Sequence, residues 1–145
     1  MTIPKRILIV DDEQKILFVL FRALSWFGPH CQVETYFRSR DALAAAARAP
    51  CDLVITDLRM PDMDGIVLTE ALRALDDAPI VIWMTAYDCR VTCREAERLG
   101  VYRCLDKPLE VSDIRQIVSE ALWGDGNRGD GNRGAGYRRE KEGLG

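Results

Sequence analysis

The sequence predicts an α/β domain built on a parallel sheet that helices cover on both faces. Short apolar runs, rich in β-branched residues, alternate five times with segments whose apolar residues recur at helical spacing. The central runs are almost entirely apolar, which is typical of strands buried on both faces of a sheet. Parallel strands joined through helices require right-handed crossovers, and these place helices on both faces.

The elements are predicted from the change between strand and helix periodicity along the chain. The predicted strands lie at 6–10, 32–37, 53–56, 79–85 and 101–105, and the helices at 12 or 13 to 27, 39–48, about 65–75, about 88–99 and 110–123. The alternating pattern of 32–37 indicates a strand near a sheet edge. Gly28-Pro29 is expected to end the first helix, and residues 39–41 to cap the second.

The last part of the chain differs from the rest. Residues 124–145 contain eight of the eleven glycines and almost no large apolar side chains, and they begin with a five-residue period that closes on arginine. Such a segment cannot bury enough surface to offset the entropy of ordering it. We therefore predict a folded domain at 1–123 and a flexible tail or linker stub at 124–145, with contact to RNA or an acidic partner as the alternative for the tail.

Composition narrows the class of protein. At 145 residues and 48% hydrophobic, the chain fits one globular domain, and it carries neither an apolar run long enough to span a membrane nor a signal-peptide core at its start. A cytoplasmic protein is expected. The net charge of −3 gives no general attraction to nucleic acid or anionic membrane.

The cysteines and the histidine form no sequence motif that indicates a metal site or a catalytic site. No two of the five cysteines form a Cys-x-x-Cys pair, so they are expected to act as small apolar side chains in a reducing compartment. Cys89 and Cys93 are four residues apart, but no histidine or second cysteine pair completes a zinc site. His30, in the loop after the first helix, is expected at the surface.

Polar side chains follow four of the predicted strands at the point where each strand ends. Asp11 and Asp12 follow the first strand, Asp57 the third, Thr85 closes the fourth, and Lys107 follows the fifth. Because parallel strands bring their carboxyl ends to one edge, these side chains are expected to converge. Three carboxylates at close range repel one another unless a cation lies between them, and carboxylate oxygens suit Mg²⁺.

This combination of groups is the one needed to form an aspartyl phosphate. Asp57 would attack phosphorus, while a metal and Lys107 neutralise the charge that develops on the phosphoryl oxygens. Each residue alone has a simpler explanation: Asp11 as a helix cap, Thr85 as a turn residue and Lys107 as a surface charge. Their joint occurrence at four strand ends favours the phosphoryl-transfer interpretation.

The chain resembles the receiver domain of two-component response regulators over roughly residues 4–123. The stretches that carry the resemblance are Ile9-Val10-Asp11-Asp12-Glu13, Asp57-Leu58-Arg59-Met60-Pro61-Asp62-Met63-Asp64-Gly65, Thr85-Ala86 and Lys107-Pro108. The resemblance implies a flavodoxin-like (βα)5 sheet of strand order 2-1-3-4-5. It also implies that a histidine kinase or histidine phosphotransfer protein is the phosphodonor.

The resemblance also implies residue roles. Asp57 would be the phosphoacceptor, and Asp12 and Asp57 would bind Mg²⁺ directly, with Asp11 acting through water and the Arg59 carbonyl completing the protein ligands. Such a domain transfers a phosphoryl group to itself and loses it slowly, so it is not a turnover enzyme for an external substrate.

The remaining matching positions have implied roles as well. Thr85 and Lys107 would hold the phosphoryl group, and the small side chain of Ala86 would leave room for it. The bond between Lys107 and Pro108 is expected to be cis, as is usual in the family. A homodimer through the face of the fourth helix, fifth strand and fifth helix is one assembly that the resemblance allows.

One position departs from the family pattern. Cys104 occupies the place, three residues before Lys107, where the family usually has Tyr or Phe, and Tyr102 is the nearest aromatic residue. Cys104 is expected to pack inward, and switching to work through loop and helix movement or to be weak. Tyr87 and Arg59 flank the expected phosphate and are hypothesised to slow its hydrolysis.

Three alternatives compete with the receiver interpretation. A haloacid-dehalogenase-type phosphohydrolase would need a second aspartate where Arg59 stands. A receiver-like interaction module that is never phosphorylated is disfavoured by the intact set of acidic residues, threonine and lysine. A DNA-binding regulator would need more than a glycine-rich tail of 22 residues, so output through protein contacts is expected unless the chain continues.

Overall fold

The computed structural model describes residues 3–86, 92–124 and 138–139. Within them, parallel strands form a single sheet: β1 (Lys5–Val10), β2 (Cys31–Tyr36), β3 (Leu53–Asp57), β4 (Ile80–Thr85), β5 (Arg103–Asp106) and β6 (Arg138–Arg139). Their order across the sheet is β2-β1-β3-β4-β5-β6. The predicted fold class and the order 2-1-3-4-5 are therefore confirmed, and β2 lies at an edge as expected.

Helices connect the successive strands. They are α1 (Gln14–Ser25), α2 (Ser39–Arg48), α3 (Gly65–Arg73), α4 (Cys93–Leu99) and α5 (Val111–Trp123). A short 3-10 turn, Gly28–His30, follows α1, and His30 is exposed as predicted. Within the described residues, none of these helices has both the length and the apolar character that crossing a membrane requires.

The strands deliver alternate side chains to two apolar layers. Leu53 and Ile55 of β3 pack with residues of α1 and α5, whereas Val54 packs with residues of α2, α3 and α4 on the other face. All five residues of β3 are buried, since this strand lies in the middle of the sheet with helices on both sides. The unbroken apolar run in the sequence has this physical origin.

The start of β5 differs from the prediction because of the end of α4. Gly100 adopts a left-handed conformation at φ 70°, and the amide of Val101 donates to the carbonyl of Ala96. Val101 therefore still belongs to the helix cap, and regular pairing begins at Arg103 rather than at residue 101. The period-two spacing does not extend back to Tyr102, which packs against the α1–α5 layer while Cys104 lies in the opposite layer.

The prediction that residues 39–41 cap α2 is wrong. Arg38 is the N-cap residue and makes no side-chain cap bond, and the side chain of Ser39 instead donates to the Met63 carbonyl at 2.7 Å. The carboxylate of Asp62 accepts from the amides of Ser39 and Arg40 at 3.2 and 3.0 Å. The helix start is thus capped by a loop more than twenty residues away in sequence.

Two predictions concern regions that the structure describes only in part. Tyr87 and Cys89, and the predicted start of the fourth helix near residue 88, lie outside the described residues. In the segment after Gly124, the backbone of β6 pairs in parallel with β5, with Arg138 opposite Arg103. The predicted tail otherwise lies outside the described residues.

Candidate functional site

The residues predicted to form the site follow strands that are in register at one edge of the sheet. Val10 pairs with Thr56 across β1 and β3, so the residues after them, Asp11 and Asp57, lie side by side at the strand ends. Met84 pairs with Asp57, and Thr85 pairs with the last residue of β5. The carboxyl ends of β1, β3, β4 and β5 therefore lie next to one another, as parallel pairing predicts.

Three carboxylates gather at this edge. Ligand oxygens of Asp11, Asp12 and Asp57 all lie within 4.8 Å of one another. Asp11 and Asp57 are buried, with 0% and 6% of their surface exposed, whereas Asp12 is exposed. The cluster is therefore open to solvent on one side and closed on the other.

Lys107 brings the positive charge to these carboxylates. Its Nζ lies 3.0 Å from an Asp11 oxygen, 3.5 Å from an Asp57 oxygen and 3.9 Å from a Glu13 oxygen. Its amide donates to the Thr85 carbonyl at 2.8 Å, and the bond from Lys107 to Pro108 is cis, as predicted. The backbone after β5 thus turns toward β4 and directs the lysine into the acidic cluster.

Burial and charge shift the pKa values of this cluster. Burial raises the pKa of Asp57; the Lys107 charge opposes this rise and the Asp11 charge adds to it. Burial also raises the pKa of Asp11, against a hydrogen bond from the Glu13 amide and one from Lys107. Burial alone would lower the pKa of Lys107, but the hydrogen bond to Asp11 and the surrounding carboxylates raise it overall. Closely spaced carboxylates with raised pKa values are expected where a cation can bind.

Asp11 has a structural role in addition to its place in the acidic cluster. Its Oδ1 accepts from the Glu13 amide at 2.9 Å, and its own amide donates to the Tyr36 carbonyl at 3.1 Å. Glu13 is the N-cap of α1 but makes no side-chain cap bond. The carboxylate of Asp11 therefore orders the turn into α1 with one oxygen, while its other oxygen faces Lys107.

The loop after Asp57 is held against the strand by Gly65. The Gly65 amide donates to the Leu58 carbonyl at 2.8 Å, and a Cβ at Gly65 would lie 2.7 Å from the Asp57 carbonyl oxygen. Any side chain at this position would displace the backbone of the candidate phosphoacceptor. Asp64 caps α3 by accepting from the Val67 amide at 2.9 Å. The sequence indicates a turn here, but the need for glycine becomes evident only from this contact.

The remaining predicted site residues lie around the cluster. Thr85 is buried at the end of β4, Ala86 is exposed, and Arg59 is exposed in the loop two residues after Asp57. Cys104 is fully buried opposite Trp83 of β4, so the prediction that it packs inward is confirmed. Its Sγ lies 3.8 Å from the Thr92 hydroxyl oxygen.

The donor set fits a hard divalent cation. Asp11, Asp12 and Asp57 supply oxygen ligands with no sulfur or imidazole among them, and their negative charge exceeds the positive charge of Lys107, which favours a cation. Solvent can reach the cluster through the exposed side of Asp12, which would leave room for water ligands.

Comparisons with known proteins agree with this geometry. The family model for the response regulator receiver domain matches residues 7–119. The regulatory protein AtoC of Escherichia coli is 39% identical over 124 residues, which cover 84% of this chain and 26% of AtoC. The DNA-binding transcriptional regulator NtrC of Salmonella typhimurium is 32% identical over 114 residues, which cover 79% of this chain and 24% of NtrC. The chain thus spans about a quarter of the length of these curated relatives.

Solved structures show the same likeness. The chemotaxis response regulator CheY4 of Vibrio cholerae superposes with a TM-score of 0.75 at 26% identity, covering 82% of this chain and 99% of CheY4. A response regulator receiver domain from Clostridium thermocellum gives a TM-score of 0.73 at 26% identity, covering 81% and 94% of the two chains. The family match covers most of the folded part, including the strand ends that carry the acidic cluster. The chain belongs to the response regulator receiver domain family of two-component signal transduction.

Proposed function

We propose that Asp57 is the phosphoacceptor of this receiver domain and that phosphorylation changes its contacts with other proteins. The observation that carries the proposal is the meeting of a buried strand-end carboxylate with Lys107 at 3.5 Å and with two further carboxylates within 4.8 Å. A carboxylate oxygen of Asp57 attacks phosphorus, and the bond from phosphorus to the donor nitrogen or oxygen breaks. The donor group leaves with the bonding electrons, and the product is an aspartyl phosphate.

The metal proposed for this site is Mg²⁺, held by Asp11, Asp12, Asp57 and the carbonyl oxygen of Arg59. Oxygen ligands, two of them from buried carboxylates, support this choice. When bound, the ion would neutralise negative charge on the phosphoryl oxygens and on the acidic cluster. Asp11 is the ligand proposed to act through water, since its Oδ1 and Oδ2 already accept from the Glu13 amide and Lys107.

Lys107 and Thr85 are proposed to hold the incoming phosphoryl group. The Lys107 ammonium group lies between Asp11 and Asp57, so a short movement of its flexible stem would bring it to a phosphoryl oxygen. Thr85 ends the strand adjacent to β3 and would supply a hydroxyl donor. Both groups stabilise the charge of the transferring phosphoryl group rather than forming bonds to phosphorus. The aspartyl phosphate is expected to hydrolyse slowly, without turnover of an external substrate.

The proposed donor is a histidine kinase or a histidine phosphotransfer protein in the cytoplasm. An apolar groove of about 610 Å³ lies beside α1 and supports contact with a protein donor. The groove is lined by Gln14, Lys15, Leu17, Phe18, Phe21, Thr35 and Phe37. Phe18, Phe21 and Phe37 expose large apolar area to solvent, which is typical of protein interaction sites.

The output partner is a separate question. Two curated relatives are named as a regulatory protein and a DNA-binding transcriptional regulator, and this chain matches only about a quarter of each. We propose that output passes through protein contacts of the receiver, with a homodimer through α4, β5 and α5 as one form. Sedimentation of the protein with and without acetyl phosphate measures this, and an unchanged sedimentation coefficient would argue against phosphate-dependent dimerisation.

The phosphoacceptor proposal is tested with a small-molecule donor. The purified chain is incubated with Mg²⁺ and acetyl phosphate, and intact mass is measured for the parent, Asp57→Asn and Asp77→Asn. The parent and Asp77→Asn, whose changed residue is exposed and remote from the cluster, should gain one phosphoryl group, whereas Asp57→Asn should gain none. A Lys107→Ala variant should react about a hundredfold more slowly, since it lacks the charge that stabilises the transition state.

Two outcomes would contradict the phosphoacceptor role, and a third would contradict the metal role. An equal mass gain in Asp57→Asn would place the phosphoryl group elsewhere. A parent chain that gains no mass in the presence of Mg²⁺ would favour a receiver-like interaction module that is never phosphorylated. Removing Mg²⁺ with a chelator should stop the reaction, and an unaffected rate would exclude the metal role.

A further inference from the structure

Trp83 occupies the centre of the sheet and makes a buried hydrogen bond to α3. Its side chain is 0% exposed, and its indole Nε1 donates to the hydroxyl of Thr69 at 2.8 Å. Thr69 is also fully buried, and its hydroxyl donates to the Gly65 carbonyl at 2.7 Å. These contacts form a continuous chain from β4 to the first residue of α3, which we call the Trp83–Thr69–Gly65 chain.

The far end of this chain rests on the candidate phosphoacceptor. The Gly65 amide donates to the Leu58 carbonyl, and the position of a Gly65 Cβ would be 2.7 Å from the Asp57 carbonyl oxygen and 2.9 Å from Leu58 Cα. The first turn of α3 therefore lies directly against the backbone that carries the Asp57 side chain. A shift of this turn would have to move either that backbone or the loop between Leu58 and Asp64.

The Trp83 end of the Trp83–Thr69–Gly65 chain is also fixed, because Trp83 lies in β4. Trp83 is two residues before Thr85, and the neighbouring Met84 carbonyl accepts from the Leu58 amide at 3.1 Å. β4 thus touches the start of the loop through Leu58 and its end through Thr69 and Gly65. The loop is held at both ends by one strand, and that strand also presents Thr85 to the site.

We propose that Trp83 and Thr69 are positioning residues for the site: they hold the 58–64 loop in the position in which Asp57 and the Arg59 carbonyl can bind Mg²⁺. This inference rests on the proposed function of Asp57 and adds residues that lie away from the acidic cluster. Neither side chain belongs to the acidic cluster. Both act on the site through the backbone of Gly65.

The physical reason for the coupling is the cost of an unpaired polar group in this layer. The indole N–H of Trp83 is buried among apolar side chains, so loss of the Thr69 hydroxyl would leave it without this acceptor. Thr69 lies in a helix, where a hydroxyl commonly bonds the carbonyl four residues earlier. The added bond to Trp83 ties the helix to a strand that ends at the site.

The test uses variants that change hydrogen bonding, and the changes at Thr69 do so with little change in volume. Thr69→Val removes the hydroxyl, Thr69→Ser retains it, and Trp83→Phe removes the donor. Val118→Ala is the matched control, because Val118 is fully buried in α5 on the opposite face of the sheet. Two quantities are measured without phosphodonor: hydrogen exchange of the Gly65 amide in metal-free protein, and the dissociation constant for Mg²⁺ by amide chemical shifts.

The expected result separates the variants. Thr69→Val should speed exchange of the Gly65 amide and weaken Mg²⁺ binding, each by about tenfold, because local opening of the loop becomes easier. Trp83→Phe should change both quantities in the same direction, Thr69→Ser should restore them to within about twofold of the parent, and Val118→Ala should leave Mg²⁺ binding unchanged.

Other results would overturn the inference. Unchanged exchange of the Gly65 amide and unchanged Mg²⁺ affinity in Thr69→Val would show that the loop does not depend on the Trp83–Thr69–Gly65 chain. Equal losses in Thr69→Val and Val118→Ala would indicate general destabilisation. If Thr69→Val fails to fold, Trp83→Phe and Thr69→Ser give the same comparison. Failure of phosphorylation in the parent, with these effects intact, would count against the proposed function and not against the positioning role.

Discussion

Cys104 of β5 and Trp83 of β4 occupy neighbouring positions in one apolar layer and have side chains of very different size. The two residues pair directly across the strands, share one face of the sheet and are both fully buried. Both side chains belong to the same apolar layer, so the large indole of Trp83 is accommodated beside the small thiol of Cys104. The aromatic side chain that the family usually carries at the position of Cys104 is absent here, and an aromatic side chain on the adjacent strand fills part of the same layer.

A substitution that restores the family pattern is therefore expected to destabilise this protein. Cys104→Tyr should lower the free energy of unfolding by about 1–3 kcal/mol, because the added ring has no space beside Trp83. Chemical denaturation measures the loss. Cys93→Tyr, at a half-buried position in α4, serves as the control and should cost less.

A double variant at Cys104 and Trp83 tests whether crowding between the two side chains causes the loss of stability. If the two side chains compete for one space, the double variant Cys104→Tyr with Trp83→Leu should be more stable than the sum of the two single changes predicts. Strict additivity, or a tyrosine at position 104 that costs nothing, would contradict the shared-space explanation.

The thiols of Cys31 and Cys51 have a packing role. Burial raises the pKa of Cys31 and of Cys51 to about 11 in each case. The thiolate is the reactive form of cysteine, and at neutral pH very little of it is present at these two positions. They therefore act as small apolar side chains, as composition indicated.

At the level of elements, Arg6 joins three parts of the fold. Its guanidinium group donates from Nε and Nη2 to the two Glu34 oxygens at 2.8 and 3.0 Å, which ties β1 to β2. Its Nη1 donates to the carbonyl of Ala49 at 2.7 Å, the residue that ends α2. A two-point contact of this kind is stronger than a single ion pair and fixes the register of the edge strand.

This pair predicts a pH dependence of stability. The hydrogen bond from Arg6 lowers the pKa of Glu34 below its usual value, although burial opposes the effect. A carboxyl whose pKa is lower in the folded state contributes stability above the unfolded pKa of about 4 and loses it as the pH falls through the folded value. Glu34→Gln should therefore cost about 1 kcal/mol at pH 7 and much less near pH 3.

Thermal unfolding across this pH range measures the Glu34 effect. Glu95→Gln is a suitable control, because its Arg98 partner is 53% exposed in the side chain, compared with 17% for Arg6. Exposed ion pairs contribute little to stability, so this control should change the free energy of unfolding by less than about 0.5 kcal/mol. An equal cost for Glu34→Gln at pH 3 and pH 7 would show that the charged pair is not the source.

For the whole molecule, β6 extends the sheet beyond the five strands predicted. It has two residues, and Arg138 lies directly opposite Arg103 of β5. A strand of two residues is shorter than most strands and offers few backbone hydrogen bonds to its neighbour. The pairing is therefore expected to contribute little to the stability of the fold.

Removal of residues 125–145 tests this expectation. The shortened chain should unfold with a free energy within about 1 kcal/mol of the full chain, because the described residues of the two apolar layers all precede Gly124. Arg138→Pro in the full chain is the companion variant, since proline prevents strand pairing without removing the tail. A larger loss in both would show that β6 is an integral strand.

Long-range contacts mark the limit of what could be predicted for the site. Convergence of Asp11, Asp57 and Lys107 was predictable, because parallel strands must end at one edge. The cap that Asp62 supplies to α2 was not, because donor and acceptor are separated by more than twenty residues and neither spacing nor composition links them. The bond from Trp83 to Thr69 was missed for the same reason.

The sequence by itself determined the fold class, the central strands and the polar residues at their ends, since apolar periodicity and turn residues are local properties of the chain. The tertiary structure decided the start of β5, the inward packing of Trp83 against Cys104 and the contact of Gly65 with the backbone of Asp57. These features depend on which surfaces meet after the sheet and helices pack. Distances between remote residues are set by packing at near-crystalline density, and a local pattern does not contain them.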